Sequence, residues 1–150
     1  MPKEPADPKA RAVKLLARRE HSARELKRKL EQRGIGAGEA AETVAQLAKD
    51  GWQSDARYTE MLVRSRISQG FGPVRIEAEL RQAGVSGEQA SEALRAAAPD
   101  WKRLAAEAQA RHFAALPKTS AERAKQYRYL AGRGFDSSQI SAALKGTPDE

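Results

Sequence analysis

Only two histidines occur in this 150-residue chain, His21 and His112, and there is no cysteine. A metal centre needs several His, Cys or carboxylate ligands at short spacing, and neither histidine has such companions nearby. Without cysteine there are no disulfides, thiol nucleophiles or thiolate ligands, which fits a reducing, cytoplasmic setting. A serine nucleophile needs a base and an orienting acid, and no local signature supplies them. The glycines of "GIGAGE" (34–39) lack the G-x-G-x-x-G spacing and follow a helical pattern rather than a strand. No G-x-x-x-x-G-K-[ST] occurs either. The acidic residues mostly sit at helix starts or beside Lys and Arg, where capping and pairing account for them. These residues predict a protein that is not an enzyme and holds neither metal nor cofactor.

The chemistry left is that of positive charge. Lys and Arg number 27 against 20 Asp and Glu, a net charge of +7. Residues 1–50 and 101–150 are basic and the middle is near neutral, which suggests contact with something anionic. A helix-turn-helix reader of DNA sequence would carry Arg, Lys, Asn or Gln on the third helix of a unit. Here the candidate third helices "GEAAETVAQLAKD" (38–50), "SGEQASEALRAA" (86–97) and "SSQISAALKG" (137–146) have at most one basic residue each. The charge lies instead on first and second helices, at Arg11, Lys14, Arg18 and Arg19, then at Arg24, Lys27 and Arg28. The last three fall beside the Leu26/Leu30 stripe rather than in it. Major-groove reading is disfavoured, and backbone or protein-surface recognition remains.

The elements that must position these cations are written as a repeat. "SARELKRKLEQRGI" (22–35), "GPVRIEAELRQAGV" (72–85) and "AERAKQYRYLAGRGF" (121–135) end alike, with Leu30, Leu80 and Leu130 four residues before Gly34, Gly84 and Gly134. A glycine just past a helix takes the left-handed conformation that stops it. Ile35, Val85 and Phe135 then fold back on the leucines. Helix starts are marked by Ser22 with Glu25, Ser86 with Gln89 and Thr119 with Glu122 as capping boxes. Ser54 or Asp55, and Asp136 or Ser137, are further caps, and Pro73 stands at a first helical position.

Val13, Leu16 and Ala17 predict the apolar stripe of the first helix, and a long helix is predicted from about 101 to Leu116. Trp52 and Trp101 lie at handovers between copies and are expected to fill the joints. Tyr127 and Tyr129, two apart on a helix, cannot both face inward, so one is expected to be exposed.

Leu, Ile, Val and Phe make up only about 16% of the chain, below the mark where disorder is suspected. The 29 alanines and the regular caps favour small helical units that share interfaces. The expected fold is therefore all-α, three tandem three-helix, helix-turn-helix-like repeats in an elongated, curved array. The boundaries read 9–53, 54–98 and 99–146, with a disordered tail at 1–8 and a short tail at 147–150. No apolar run is long enough to span a membrane, and "MPKEPADPKA" has no secretory apolar core.

These segments resemble the three repeats of the RecX family, bacterial regulators of the RecA recombinase. The resemblance rests on "RAVKLLARREHSARELKRKLEQRG" (11–34), "DARYTEMLVRSRISQGFGPVRIEAELRQAGV" (55–85) and "YRYLAGRGFDSSQISAAL" (127–144). The second is the most specific, through Asp55, Arg57, Tyr58, Arg66, Gly70, Gly72, Pro73, Arg75, Ile76, Glu79 and Leu80. The first helix of the third repeat matches more weakly.

The resemblance implies a non-enzymatic protein that binds RecA and the RecA filament on single-stranded DNA. It implies that ATP hydrolysis, strand exchange and co-protease activity are suppressed. The basic residues expected to carry binding are Arg18, Arg19, Arg24, Lys27 and Arg28 in the first repeat, and Arg57, Arg64, Arg66 and Arg75 in the second. Arg57 and Arg75 can instead pair with Glu60 and Glu79 across one helical turn. Direct contact with DNA phosphates is the alternative, as a sequence-independent nucleic-acid-binding protein, and a cytoplasmic monomer is expected.

Overall fold

The computed structural model describes residues 7–97 and 99–145. They form nine helices and no strand: α1 (Pro8–Arg18), α2 (Ala23–Gln32), α3 (Ala37–Lys49), α4 (Asp55–Ser68), α5 (Pro73–Gln82), α6 (Gly87–Ala97), α7 (Trp101–His112), α8 (Ser120–Arg133) and α9 (Ser137–Leu144). The all-α reading, in three helical triplets, holds. Asp7 accepts from the Lys9 N–H and Pro8 is the first helical residue, so α1 begins inside the stretch read as a tail. The rest of that stretch, residues 1–6, and the tail at 147–150 lie outside the described residues.

The three repeated endings are built as the leucine–glycine spacing predicts. Gly34, Gly84 and Gly134 have φ of 91°, 93° and 102°. The N–H of Ile35, Val85 and Phe135 reaches back to the carbonyl of Leu30, Leu80 and Leu130 at 3.2, 2.9 and 3.2 Å. Each glycine N–H bonds the next carbonyl along, which completes a Schellman stop and satisfies two otherwise orphaned acceptors. All six apolar partners are buried.

Two further stops have the same pattern, at Gly51 after α3 and at Gly70 after α4. At Gly51 the sequence has the same signature, with Leu47 four residues before the glycine and Trp52 just after it, and the Trp52 N–H reaches the Leu47 carbonyl at 2.9 Å. At Gly70 the leucine is missing, and Phe71 folds back onto Arg66.

Most starts follow the predicted caps. Ser22 Oγ accepts from the Glu25 N–H and Ser54 Oγ from the Arg57 N–H, each at 3.1 Å. Asp136 and Gln139 form a full reciprocal box. At α8, Thr119 accepts from the Glu122 N–H, while the Glu122 carboxylate takes the N–H of Lys118, one residue before the cap. Glu25 does not reach back to its cap, because its carboxylate is held by Arg19.

Helix α7 stops at His112 rather than at Leu116. Phe113 turns extended, and the Ala115 carbonyl is taken by the side-chain amides of Gln109 and Gln126 at 3.1 and 3.0 Å. A buried bond of 3.0 Å joins those two glutamines.

The chain divides into two compact units, Met1–Met61 with Leu80–Ser86, and Leu62–Glu79 with Gly87–Glu150. The second repeat contributes residues to both. In the first unit, Ala12, Leu26, Leu30, Ile35, Ala40, Val44 and Leu47 form the core, with Val13, Leu15 and Leu16 packed on it. Ala17, predicted as part of that stripe, is exposed, since the buried face of α1 runs through Ala12 instead.

In the second unit, Ala105, Ala108, Leu130, Phe135, Ile140, Ala143 and Leu144 form a core. Trp101 is partly buried and packs against this core, whereas Trp52 is 54% exposed. The expectation that Trp52 is buried is thus corrected. Trp52 serves its stop through backbone bonds that make no use of the ring. Tyr127 and Tyr129 are both partly buried on this core, so neither is the exposed one expected. Tyr129 lies under the stacked His112 ring, at 3.9 Å between centroids.

Candidate binding surface

The arginines of the second repeat are mostly spent on the fold. Arg57 Nε donates to Glu20 at 3.0 Å, and its Nη2 donates to the carbonyls of Gly51 and Trp52 at 2.8 and 3.1 Å. It therefore fixes the turn after α3, and its carboxylate partner is Glu20 rather than Glu60. Arg66 pairs with Glu79 at 3.0 Å, and Arg75 shares that carboxylate at 3.4 Å.

Arg75 also lies over the Phe71 ring at 3.9 Å, with Arg133 at 4.0 Å from the ring centroid. Arg133 caps the carbonyls of Gln69 and Gly70. Beside this stack the chain passes at backbone contact. The N–H groups of Gly72 and Val74, at the start of α5, donate to the carbonyls of Arg133 and Gly134 at 2.9 Å each. A Cβ on Gly72 would sit 2.4 Å from the Gly134 oxygen. The G-x-G-P-x-R pattern thus encodes a docking joint: glycine for approach, proline for the helix start, arginine for the stack. Arg64 is exposed and has no ion pair or hydrogen bond among the described residues.

In the first repeat, Arg19 follows α1 and grips Glu25 with two bonds of 3.1 and 2.8 Å. That bond, against some burial, raises the Arg19 pKa. Burial pushes the Glu25 carboxyl up, but the Arg19 bonds and charge, with His21 and Lys29 nearby, outweigh it and hold the group low.

His21 is buried, its Nδ1 2.9 Å from the Arg19 carbonyl and its Nε2 3.0 Å from Lys29 Nζ. A carbonyl only accepts, so Nδ1 carries the proton and Nε2 accepts from the ammonium. Burial lowers the His21 pKa, and the charges of Arg19 and Lys29 act the same way against the pull of the Arg19 carbonyl. Burial likewise lowers that of Lys29.

The remaining cations of the first repeat differ in freedom. Lys27 pairs with Glu31 at 2.7 Å. Arg24 lies against Gly84 and reaches the Gln82 carbonyl at 3.5 Å. Arg28 and Arg18 are exposed, with no ion pair or hydrogen bond among the described residues. Of the nine arginines and lysines expected to bind, Arg18, Arg28 and Arg64 are left without a partner within the described fold.

Arg18 also lines a cavity of about 390 Å³ along α1, with Asp7, Arg11, Lys14, Leu15, Leu30 and Arg33 among its walls. The sequence signals this cluster through basic residues at i, i+3 and i+7 on α1. Arg33, brought in by the end of α2, has no such signal.

No group of three His, Cys, Asp or Glu that could hold a metal occurs among the described residues, and no helix there is long and apolar enough to cross a membrane. Fold and surface together define a tandem array of small three-helix units that displays arginines on exposed helix faces.

Comparison with known proteins agrees with that class. Family models for the first, second and third three-helix domains of RecX match residues 9–47, 54–94 and 98–144. The chain is 46% identical to the regulatory protein RecX of Chromohalobacter salexigens, over 96% of this chain and 95% of that one. It is 42% identical to the regulatory protein RecX of Stenotrophomonas maltophilia, over 95% and 88% of the two chains. The crystal structure of RecX from Lactobacillus salivarius superposes with a TM-score of 0.74 at 21% identity, over 92% of both chains, which supports the fold. The chain belongs to the RecX family.

Proposed function

We propose that this chain is a non-enzymatic regulator of the RecA recombinase. It acts in the cytoplasm as a monomer, binds the filament that RecA forms on single-stranded DNA, and restrains ATP hydrolysis, strand exchange and co-protease activity. Family membership supports this reading, since the relatives named above are regulatory proteins. The structural observation that carries it is the division among the arginines. Arg57, Arg66 and Arg75 are engaged within the fold, while Arg18, Arg28 and Arg64 are held out to solvent. An exposed cation with no internal partner contributes little to stability, and its charge is available to an anionic surface.

The test follows ATP hydrolysis by RecA on single-stranded DNA as the chain is added. Wild type is expected to suppress it near stoichiometry with the filament. Arg18→Glu, Arg28→Glu and Arg64→Glu combined should raise the amount needed by about tenfold or more, with helicity unchanged. Equal suppression by wild type and the triple variant would remove these three residues from the interface.

The runner-up, a sequence-independent nucleic-acid-binding protein, is favoured by Arg11, Lys14 and Arg18 along α1, whose side chains have no partner among the described residues. It predicts binding to bare DNA, without RecA, that weakens steeply with salt.

A further inference from the structure

The geometry of the first repeat points to a binding site for a phosphate monoester, in the cavity between α1 and the end of α2. This inference does not depend on the RecA reading. The cavity, about 390 Å³, is lined by Arg11, Lys14 and Arg18 from α1 and by Arg33 beyond α2. None of these four side chains has a hydrogen bond or an ion pair with another described residue. Among the described residues the lining has a single carboxylate, Asp7, which caps the start of α1 by accepting from the Lys9 N–H at 3.1 Å. Four cations against one anion leave a local excess of three positive charges among the described residues.

Arg11 gives a second, independent observation. Its Nε is buried and has no acceptor. A buried donor without a partner costs free energy, so the present side-chain conformation is held by no bond of its own. Rotation of the guanidinium toward an anion in the cavity restores the missing bond.

Charge and shape both favour phosphate over carboxylate. A monoester carries a charge of about −1.5 to −2 at neutral pH, with three acceptor oxygens. Those oxygens accept from several directions, which suits arginine forks on two walls of a cavity. A carboxylate brings one charge and two oxygens in one plane, and would leave most of the excess unmatched. The apolar side of the cavity, Leu15 and Ala10, gives the rest of the ligand a surface to pack on. A nucleotide or the terminal phosphate of a strand has both parts.

The test measures binding to the full chain, without RecA, by calorimetry and amide NMR shifts. The probes are inorganic phosphate, AMP, and one short oligonucleotide with either a 5′-phosphate or a 5′-hydroxyl. AMP should bind saturably with Kd of about a millimolar or tighter, shifting amides of α1 and around Arg33. Arg11→Gln and Arg18→Glu should each weaken it by about tenfold. Arg18 is exposed, so its variant keeps the test valid if Arg11→Gln perturbs the fold. Tighter binding of the 5′-phosphorylated strand than of its hydroxyl twin would assign the source to strand ends. Equal binding of the two strands, with AMP still bound, would assign it to free nucleotides. Absence of saturable binding by phosphate and AMP, or binding indifferent to both substitutions, overturns the inference.

Discussion

Replacing Gly72 by alanine should separate the start of α5 from the end of α8. A Cβ there would lie 2.4 Å from the Gly134 oxygen, 2.5 Å from its carbonyl carbon and 2.6 Å from the Phe135 nitrogen. All three are backbone atoms, so no side chain can swing aside. Ordinary contact begins about 1 Å further out, and a displacement of that size takes both 2.9 Å bonds, from the N–H groups of Gly72 and Val74, past useful length. Each donor left unpaired costs about 1–3 kcal/mol. The lower entropy of an unfolded chain with alanine returns roughly 0.4–1 kcal/mol. The net expectation is a loss of about 1–5.5 kcal/mol.

Gly132, inside α8, is the matched control, because a methyl added there would meet nothing within 4 Å. Gly132→Ala should stabilise by about 0.5–1 kcal/mol. Urea unfolding followed by far-ultraviolet circular dichroism measures both. A Gly72→Ala protein as stable as wild type, or more stable, would refute the docking-joint account, because it would show that the backbones separate without cost.

Two further outcomes concern the first repeat and the last helix. The low His21 pKa means that the unfolded chain binds a proton below its ordinary 6.5 that the folded chain refuses. Stability should therefore be full above that pH and decline below it, toward the folded pKa, by at most about 1.4 kcal/mol per pH unit. The depressed Glu25 carboxyl adds stability above its ordinary 4.5 that is lost only at lower pH, as the folded group titrates. Urea midpoints from pH 8 down should show both windows, and His21→Gln should flatten the first. Asp136→Ala, which opens the capping box of α9, should cost about 1 kcal/mol in the same assay.

The helix ends are the most legible part of this fold. A leucine four before a glycine and an apolar residue just after it specify a local structure with few alternatives, and all three copies adopt it. The stop at Gly51 carries the same leucine and apolar residue, Leu47 and Trp52, whereas the one at Gly70 is hidden in the sequence because Arg66 stands where the leucine would be. Side-chain burial is less legible. A junction position predicts a buried Trp52, yet a backbone role leaves the ring free.

The site is legible as a list of charges but not as a sorting of them. In sequence Arg57 is identical in kind to Arg64, and only its partners across the repeat, Glu20 and the turn after α3, set it apart. Helical spacing alone points to Glu60, one turn away, whereas a contact between Arg57 and Glu20 depends on how helices pack. The cavity cluster shows the converse: α1 announces three of its cations, and tertiary packing supplies Arg33.

The central claim is that the chain acts on RecA rather than on DNA by itself. Its most direct test is the steady-state ATP hydrolysis of RecA filaments on single-stranded DNA, titrated with the full chain at physiological salt. Progressive suppression that saturates near stoichiometry, while binding to the same DNA without RecA is weak at that salt, is the predicted result. Unchanged hydrolysis at a several-fold excess of the chain would contradict it.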